Sequence, residues 1–179
     1  PTNIKAGMDI IVSGTLGDHA ATVMAARHNL TLPPEIMSDS APLCHLAAAM
    51  LAAAPSIAVL RDPTRGGVAA SLNELAGAAG VGILLDEAAI PVHPAVQGVC
   101  DILGFDPLTL ANEGKLLAFV PPEDTERVLA VMHADPHGRA ACVIGHTTAE
   151  APGSVGLRTA LGGIRVVDLP LGELVPRIC

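Results

Sequence analysis

Residues 57–85 read IAVLRDPTRGGVAASLNELAGAAGVGILL, and their spacing sets out three elements. Ile57 to Arg61 is a short run of aliphatic and β-branched residues, which favours a strand. From Gly67, apolar Val68, Leu72, Leu75 and Ala79 recur at helical intervals, so the spacing predicts a helix over 67–79 with one apolar face. Gly80 closes it, because glycine enters the left-handed conformation of a helix end without steric penalty. Val81 to Leu85 is apolar again and reads as a second strand. A strand, a loop, an amphipathic helix and a strand in so short a span imply a sheet with a helix laid against it.

The same reasoning extends outward. Upstream, Asp9 to Ser13 reads as a buried strand, and Asp18 to His28 as a helix with Asp18 near its start and Asn29 near its stop. Thr31 to Pro42 is a proline-bearing connection, and Leu43 to Ala54 is an alanine-rich helix ended by Pro55. Downstream, Pro94 to Leu103 is a helix with proline near its start. Lys115 to Val120 is a strand, and Glu123 to Met132 a helix. Ala141 to Gly145, Val155 to Arg158 and Ile164 to Asp168 are three closely spaced strands. Parallel strands need a long crossover, so this spacing predicts antiparallel pairing among them. The expected fold class is α+β: a mixed or mostly antiparallel sheet covered by helices.

Composition narrows the function. The 179 residues favour one domain, and half are hydrophobic, enough for a sizeable core. That core is built from Ala, Val, Leu and Ile, since Phe105 and Phe119 are the only aromatics apart from histidine. The formal charge is −8 with ten Lys plus Arg, which leaves no basic footprint for nucleic acid and few rings for base stacking. An anionic membrane surface is disfavoured for the same reason. The most apolar run, Leu46 to Leu60, is too short to span a bilayer and is interrupted by Pro55. Cysteines stand at 44, 100, 142 and 179, with no CxxC pair and no zinc spacing. Cys44, Cys100 and Cys142 lie in apolar stretches and are expected to pack as small hydrophobes. With no signal peptide evident, a reduced, soluble, cytoplasmic protein is expected. The opening PTNIKAGMDIIVSG runs almost at once into a strand, as the middle of a longer protein would.

Two stretches carry candidate chemistry. RDPTRGG, 61–67, joins a strand to a helix whose N-terminus offers unpaired N–H groups and the positive end of the dipole. Gly66 and Gly67 would let a ligand approach the backbone, Thr64 would cap the helix or bond a phosphate oxygen, and Arg65 adds charge. On spacing alone it reads equally as a strand-to-helix turn with an Asp or Thr cap, being neither a Walker motif nor a Rossmann fingerprint. ANEGK, 111–115, sets Glu113 in a polar turn, where it is either a general base or an ordinary surface carboxylate. His133 and His137 stand four apart, but Asp135, Pro136 and Gly138 make that region a turn, so no metal site is assigned.

Four motifs together resemble a known family: MDIIVSGTLGDHAATVMAAR (8–27), DPTRGGVAASLNELAGAAGVGILLDEAAIPV (62–92), ANEGKLLAFV (111–120) and the terminal PRIC (176–179). They are similar to the C-terminal half of the HypE family of hydrogenase maturation proteins, in the aminoimidazole-ribonucleotide synthetase superfamily. The glycine loop is common to the superfamily, whereas ANEGK combined with a terminal PRIC is far more specific. The resemblance implies a C-terminal domain over 1–169 and a flexible tail over 170–179, with an N-terminal ATP-binding domain absent from this chain.

It also implies an activity. In that family a partner carbamoyltransferase, HypF, loads a carbamoyl group onto the terminal cysteine, and ATP-dependent dehydration turns the S-carboxamide into a thiocyanate. The cyano group then passes to the iron of a [NiFe]-hydrogenase site through HypC and HypD. Carried over by position, Cys179 is the carrier and Glu113 the proton acceptor. Asp62, Thr64, Arg65, Gly66, Gly67 and Asn112 contribute to the ATP site, and Mg2+ accompanies ATP mainly through the absent half. A homodimer is implied for the full-length protein, and no turnover for this chain alone. Pro170, Gly172 and Pro176 discourage helix in the tail, which when extended reaches roughly 30 Å. Two other readings stay open: a selenophosphate synthetase-like or thiamine-phosphate kinase-like enzyme with an idle Cys179, and a non-catalytic module that docks maturation partners.

Overall fold

The structure, a computed structural model, describes residues 1–170; the expected tail beyond Pro170, with Cys179, lies outside the described residues. The elements run β1 (Asp9–Val12), α1 (Asp18–Arg27), α2 (Cys44–Ala53), β2 (Val59–Arg61), α3 (Gly67–Ala79), β3 (Gly82–Asp86) and α4 (Pro94–Leu103). They continue with β4 (Leu117–Val120), α5 (Pro122–Ala134), β5 (Cys142–Thr148), β6 (Val155–Arg158) and β7 (Ile164–Val166). The strands form one sheet in the order β2-β4-β1-β5-β3-β6-β7. Every neighbouring pair is antiparallel except β3 and β6, which are parallel. The expected mixed, mostly antiparallel sheet with helices against it is what forms.

The expectation of antiparallel pairing among the last three strands is corrected at one joint. β6 and β7 pair antiparallel, but β3 lies between β5 and β6. The chain after β5 reverses direction but takes its place one strand further on, beyond β3. It crosses the start of β3, where Gly153 donates to the Val81 carbonyl at 2.9 Å and Ile83 donates to the Ser154 carbonyl at 3.0 Å. The crossing passes so close to Gly82 that a Cβ there would stand 1.9 Å from the Glu150 carbonyl oxygen. The parallel pair β3 and β6 is joined through α4, β4, α5 and β5, which supply the long crossover that parallel pairing needs.

Alternation along the central strands distributes the core between two faces. Ile10 and Val12 of β1 and Leu117 and Phe119 of β4 join Val68, Leu72, Leu75 and Ala76 of α3. Ile11 of β1 and Ala118 and Val120 of β4 face the other way, toward Leu46 and Met50 of α2 and Val128 and Met132 of α5. A strand covered on both faces reads as an unbroken apolar run, which is why DIIV and LAFV show no polar alternation. A third cluster joins α1 to α4 through Ala20, Ala21, Val96, Val99 and Leu110.

Cys100 is buried and Cys142 half-buried, as small hydrophobes should be, but Cys44 is exposed. It is the first residue of α2, whose buried stripe is carried by Leu46 and Met50 instead. Among the described residues, no helix is long and apolar enough to cross a membrane.

Candidate functional site

Strand direction decides which loops meet. β1 and β2 are both antiparallel to β4, which lies between them. The chain therefore leaves β1 after Val12, leaves β2 after Arg61 and enters β4 at Leu117 along one end of the sheet. β5, antiparallel to β1, also begins at that end. Four loops converge there: 13–17, 62–66, 110–116 and 135–141.

Asn112 ties the first three together. Its side chain is fully buried. Its Oδ1 accepts from the Gly17 backbone N–H at 2.8 Å, and its Nδ2 donates to the carbonyls of Pro63 at 3.2 Å and Leu110 at 2.9 Å. Its own backbone N–H also donates to the Pro63 carbonyl at 3.2 Å. The amide expected from the resemblance to contact nucleotide is thus committed to the fold, and it brings RDPTRGG and ANEGK side by side.

At the RDPTRGG loop, Asp62 and Arg65 are exposed and Thr64 is half-buried. The expected Asp or Thr cap is not made: Gly66 is the N-cap residue of α3, and among the described residues no side chain caps that helix end. Thr64 contributes its carbonyl, which accepts from Gly67 N–H at 3.1 Å. Gly66 and Gly67 have φ of +67° and +61°. A Cβ on Gly67 would lie 2.5 Å from the Leu110 carbonyl oxygen and 2.6 Å from that of Leu108. Both glycines are required by backbone conformation, and Gly67 also by the passage of 108–110. What remains for an anion is an uncapped helix N-terminus with a half-buried hydroxyl and an exposed guanidinium beside it, a donor set that suits phosphate.

The end of the described chain arrives at the same loop. Asn73 of α3 donates from one Nδ2 to the Ala69 carbonyl at 2.9 Å and to the Val167 carbonyl at 2.8 Å. Pro170 then lies against Gly66, its Cγ 3.7 Å from where a Cβ on that glycine would stand.

On the other side of ANEGK the structure assembles residues that the sequence reading missed. The Lys115 side chain is only 12 % exposed, with Nζ 3.2 Å from Asp39 Oδ2 and 3.5 Å from Asp18 Oδ2. Thr15 Oγ1 also donates to Asp18 Oδ2. Asp39 reaches in from the proline-bearing connection, and its Oδ1 accepts from the Glu113 N–H at 3.1 Å. Glu113 itself is exposed. These groups stand beside a cleft of about 370 Å³ whose walls include Ser13, Ser38, Ser40, His137 and Arg139. The signal available beforehand was the polar SDS triplet between prolines, a pattern that does not announce its distant lysine. Among the described residues, no group of three or more His, Cys, Asp or Glu side chains is placed to hold a metal.

Comparison with known proteins identifies relatives along nearly the whole chain. The chain is 52 % identical over 176 residues to carbamoyl dehydratase HypE of Rhodobacter capsulatus, covering 98 % of this chain and 52 % of that protein. A crystal structure of hydrogenase maturation protein HypE in complex with ATP superposes with a TM-score of 0.93 at 40 % identity, over 99 % of this chain and 54 % of that one. A crystal structure of a HypE–HypF complex matches with a TM-score of 0.88 at 40 % identity, over 94 % of this chain and 55 % of that one. The chain spans about half the length of the curated relatives it matches. The model of the AIR synthase related protein, C-terminal domain, matches residues 5–158, and the chain belongs to that family.

Proposed function

We propose that these residues are the C-terminal part of an ATP-dependent carbamoyl dehydratase, which converts an S-carboxamide on Cys179 to a thiocyanate for the iron of a [NiFe]-hydrogenase. Residues 1–169 form the domain and 170–179 the carrier tail. The observation that carries the reading is convergence. One buried amide, Asn112, holds the Glu113 turn beside the uncapped start of α3, and Pro170 lies against the same loop. A carrier thiol, a phosphate-binding helix end and a carboxylate are the groups such a reaction needs.

A carboxamide oxygen is a poor leaving group, and bound ATP supplies the phosphoryl group that makes it a good one. Overall the carboxamide gives up its oxygen and both nitrogen-bound protons, while the sulfur–carbon bond is kept. Glu113 is exposed and accepts one of those protons. The N-terminus of α3, with Thr64, Arg65, Gly66 and Gly67, binds phosphate oxygens, with Asp62 at the edge of that site. Asn112 acts by position and does not touch nucleotide. Mg2+ enters with ATP, held mainly by residues outside this chain. HypF is the partner that loads the carbamoyl group, which the crystallised HypE–HypF complex supports; from the family resemblance, HypC and HypD receive the cyano group and the full-length protein is a homodimer.

The test is Glu113→Ala in the full-length protein carrying a carbamoylated Cys179. The expected result is normal ATP binding with dehydration slowed by about 100-fold or more. Thiocyanate formed at the wild-type rate would contradict the assignment.

A further inference from the structure

Resting on that reading of Glu113, we propose that Asp39 is the residue that positions it, by holding the Glu113 main-chain N–H and the Lys115 ammonium at once. Nothing in the described structure holds the Glu113 carboxylate directly. Its direction is set by the backbone from which it projects. That backbone is fixed inwardly by Asn112, whose amide and N–H bond Gly17, Pro63 and Leu110. Outwardly it is fixed by Asp39. One carboxylate oxygen accepts from the Glu113 N–H at 3.1 Å, and the other lies 3.2 Å from the Lys115 ammonium, so a single side chain spans the turn.

The contact is tight. The Asp39 side chain is 3 % exposed. A Cβ on Gly114 would stand 1.7 Å from the Asp39 carbonyl oxygen, so only glycine admits this approach. Lys115 is drawn in from its other side by Asp18 at 3.5 Å, which ties the turn to the start of α1 as well. A proton acceptor has to stand within hydrogen-bond reach of its proton, and a displacement of about 1 Å can reduce the rate about 100-fold. Asp39 is therefore a positioning residue for the base: it touches neither substrate nor nucleotide, and it acts through the Glu113 main chain.

The experiment uses the full-length protein with S-carboxamide on Cys179. Loss of water from the tail peptide is followed by mass spectrometry in a single turnover at saturating ATP. Asp39→Ala is expected to slow dehydration about 10- to 100-fold, with ATP affinity unchanged. Asp39→Asn keeps an oxygen for the Glu113 N–H but sets an NH2 against the Lys115 ammonium, and should recover part of the rate. Asp39→Glu keeps the charge but moves the acceptor by one methylene, and should remain slow. In a Glu113→Gln background, Asp39→Ala should add no further slowing, since both changes remove the same function. Additive slowing in that background, or a fast Asp39→Glu beside a slow Asp39→Asn, would overturn the inference. Should Asp39→Ala fail to fold, the order of the Asn and Glu variants decides alone. A wild-type rate in Glu113→Gln would instead sink the assignment of the base itself, whatever Asp39 does.

Discussion

Asn112 illustrates how one side chain organises a site without reacting. Its carboxamide makes three hydrogen bonds to three separate backbone segments. Asn112→Ala would leave the buried Gly17 N–H without this partner, while the Pro63 carbonyl keeps the backbone N–H of residue 112. An orphaned buried donor costs roughly 1–3 kcal/mol, so unfolding in urea should show a loss of about that size. Asn112→Asp should not rescue, because a carboxylate cannot donate to Pro63 and Leu110. A loss below about 0.5 kcal/mol would mean that the amide does not hold the loops together. The sequence shows an asparagine in a polar turn and leaves open whether its amide serves a ligand or the chain, because its partners lie 49 and 95 positions away. The same holds for Lys115. Its place at the head of a strand is legible, but its two carboxylate neighbours come from segments that only the folded sheet brings near.

Elements with a strong local signal were legible from the start. α3 and α4 occupy the predicted residues, since helical apolar spacing closed by Gly80 marks the one and Pro94 marks the start of the other without help from tertiary structure. β6 likewise forms where expected, but its neighbour does not, because strand partners depend on the path of the intervening loop and not on spacing alone. α3 is also where local and long-range forces meet. Leu72 is fully buried among residues of the central strands, so Leu72→Ala should destabilise the domain by about 2–5 kcal/mol. On the opposite face, Glu74 pairs with Arg61 at 3.0 Å with both side chains about half exposed. Such a pair is worth little, so Glu74→Ala should change stability by less than about 1 kcal/mol. Equal effects of the two substitutions in denaturant unfolding would contradict this partition of the helix.

At the scale of the whole molecule, strand order is what makes the site. Because β4 lies between β1 and β2, loops remote in sequence emerge at one end of the sheet, and the described chain finishes there against Gly66. Nine further residues lead to Cys179, a span of roughly 30 Å when extended, which is the reach that the proposed carrier role needs. The other cysteines compete poorly or lie elsewhere. Burial, with smaller contributions from Asp101 and Asp106, pushes the Cys100 thiol up to about 11, and burial also raises that of Cys142. Both therefore stay protonated and unreactive near neutral pH. Cys44 is exposed, but on α2, which packs on the sheet face opposite α3. The most direct measurement is mass spectrometry of the full-length protein after carbamoylation by the loading partner, before and after addition of ATP. The account predicts one carbamoyl group on the peptide ending in Cys179, which loses a water molecule only when ATP is present. A carbamoyl group on Cys44 or any other residue, or a Cys179 adduct that keeps its oxygen with ATP bound, would contradict it.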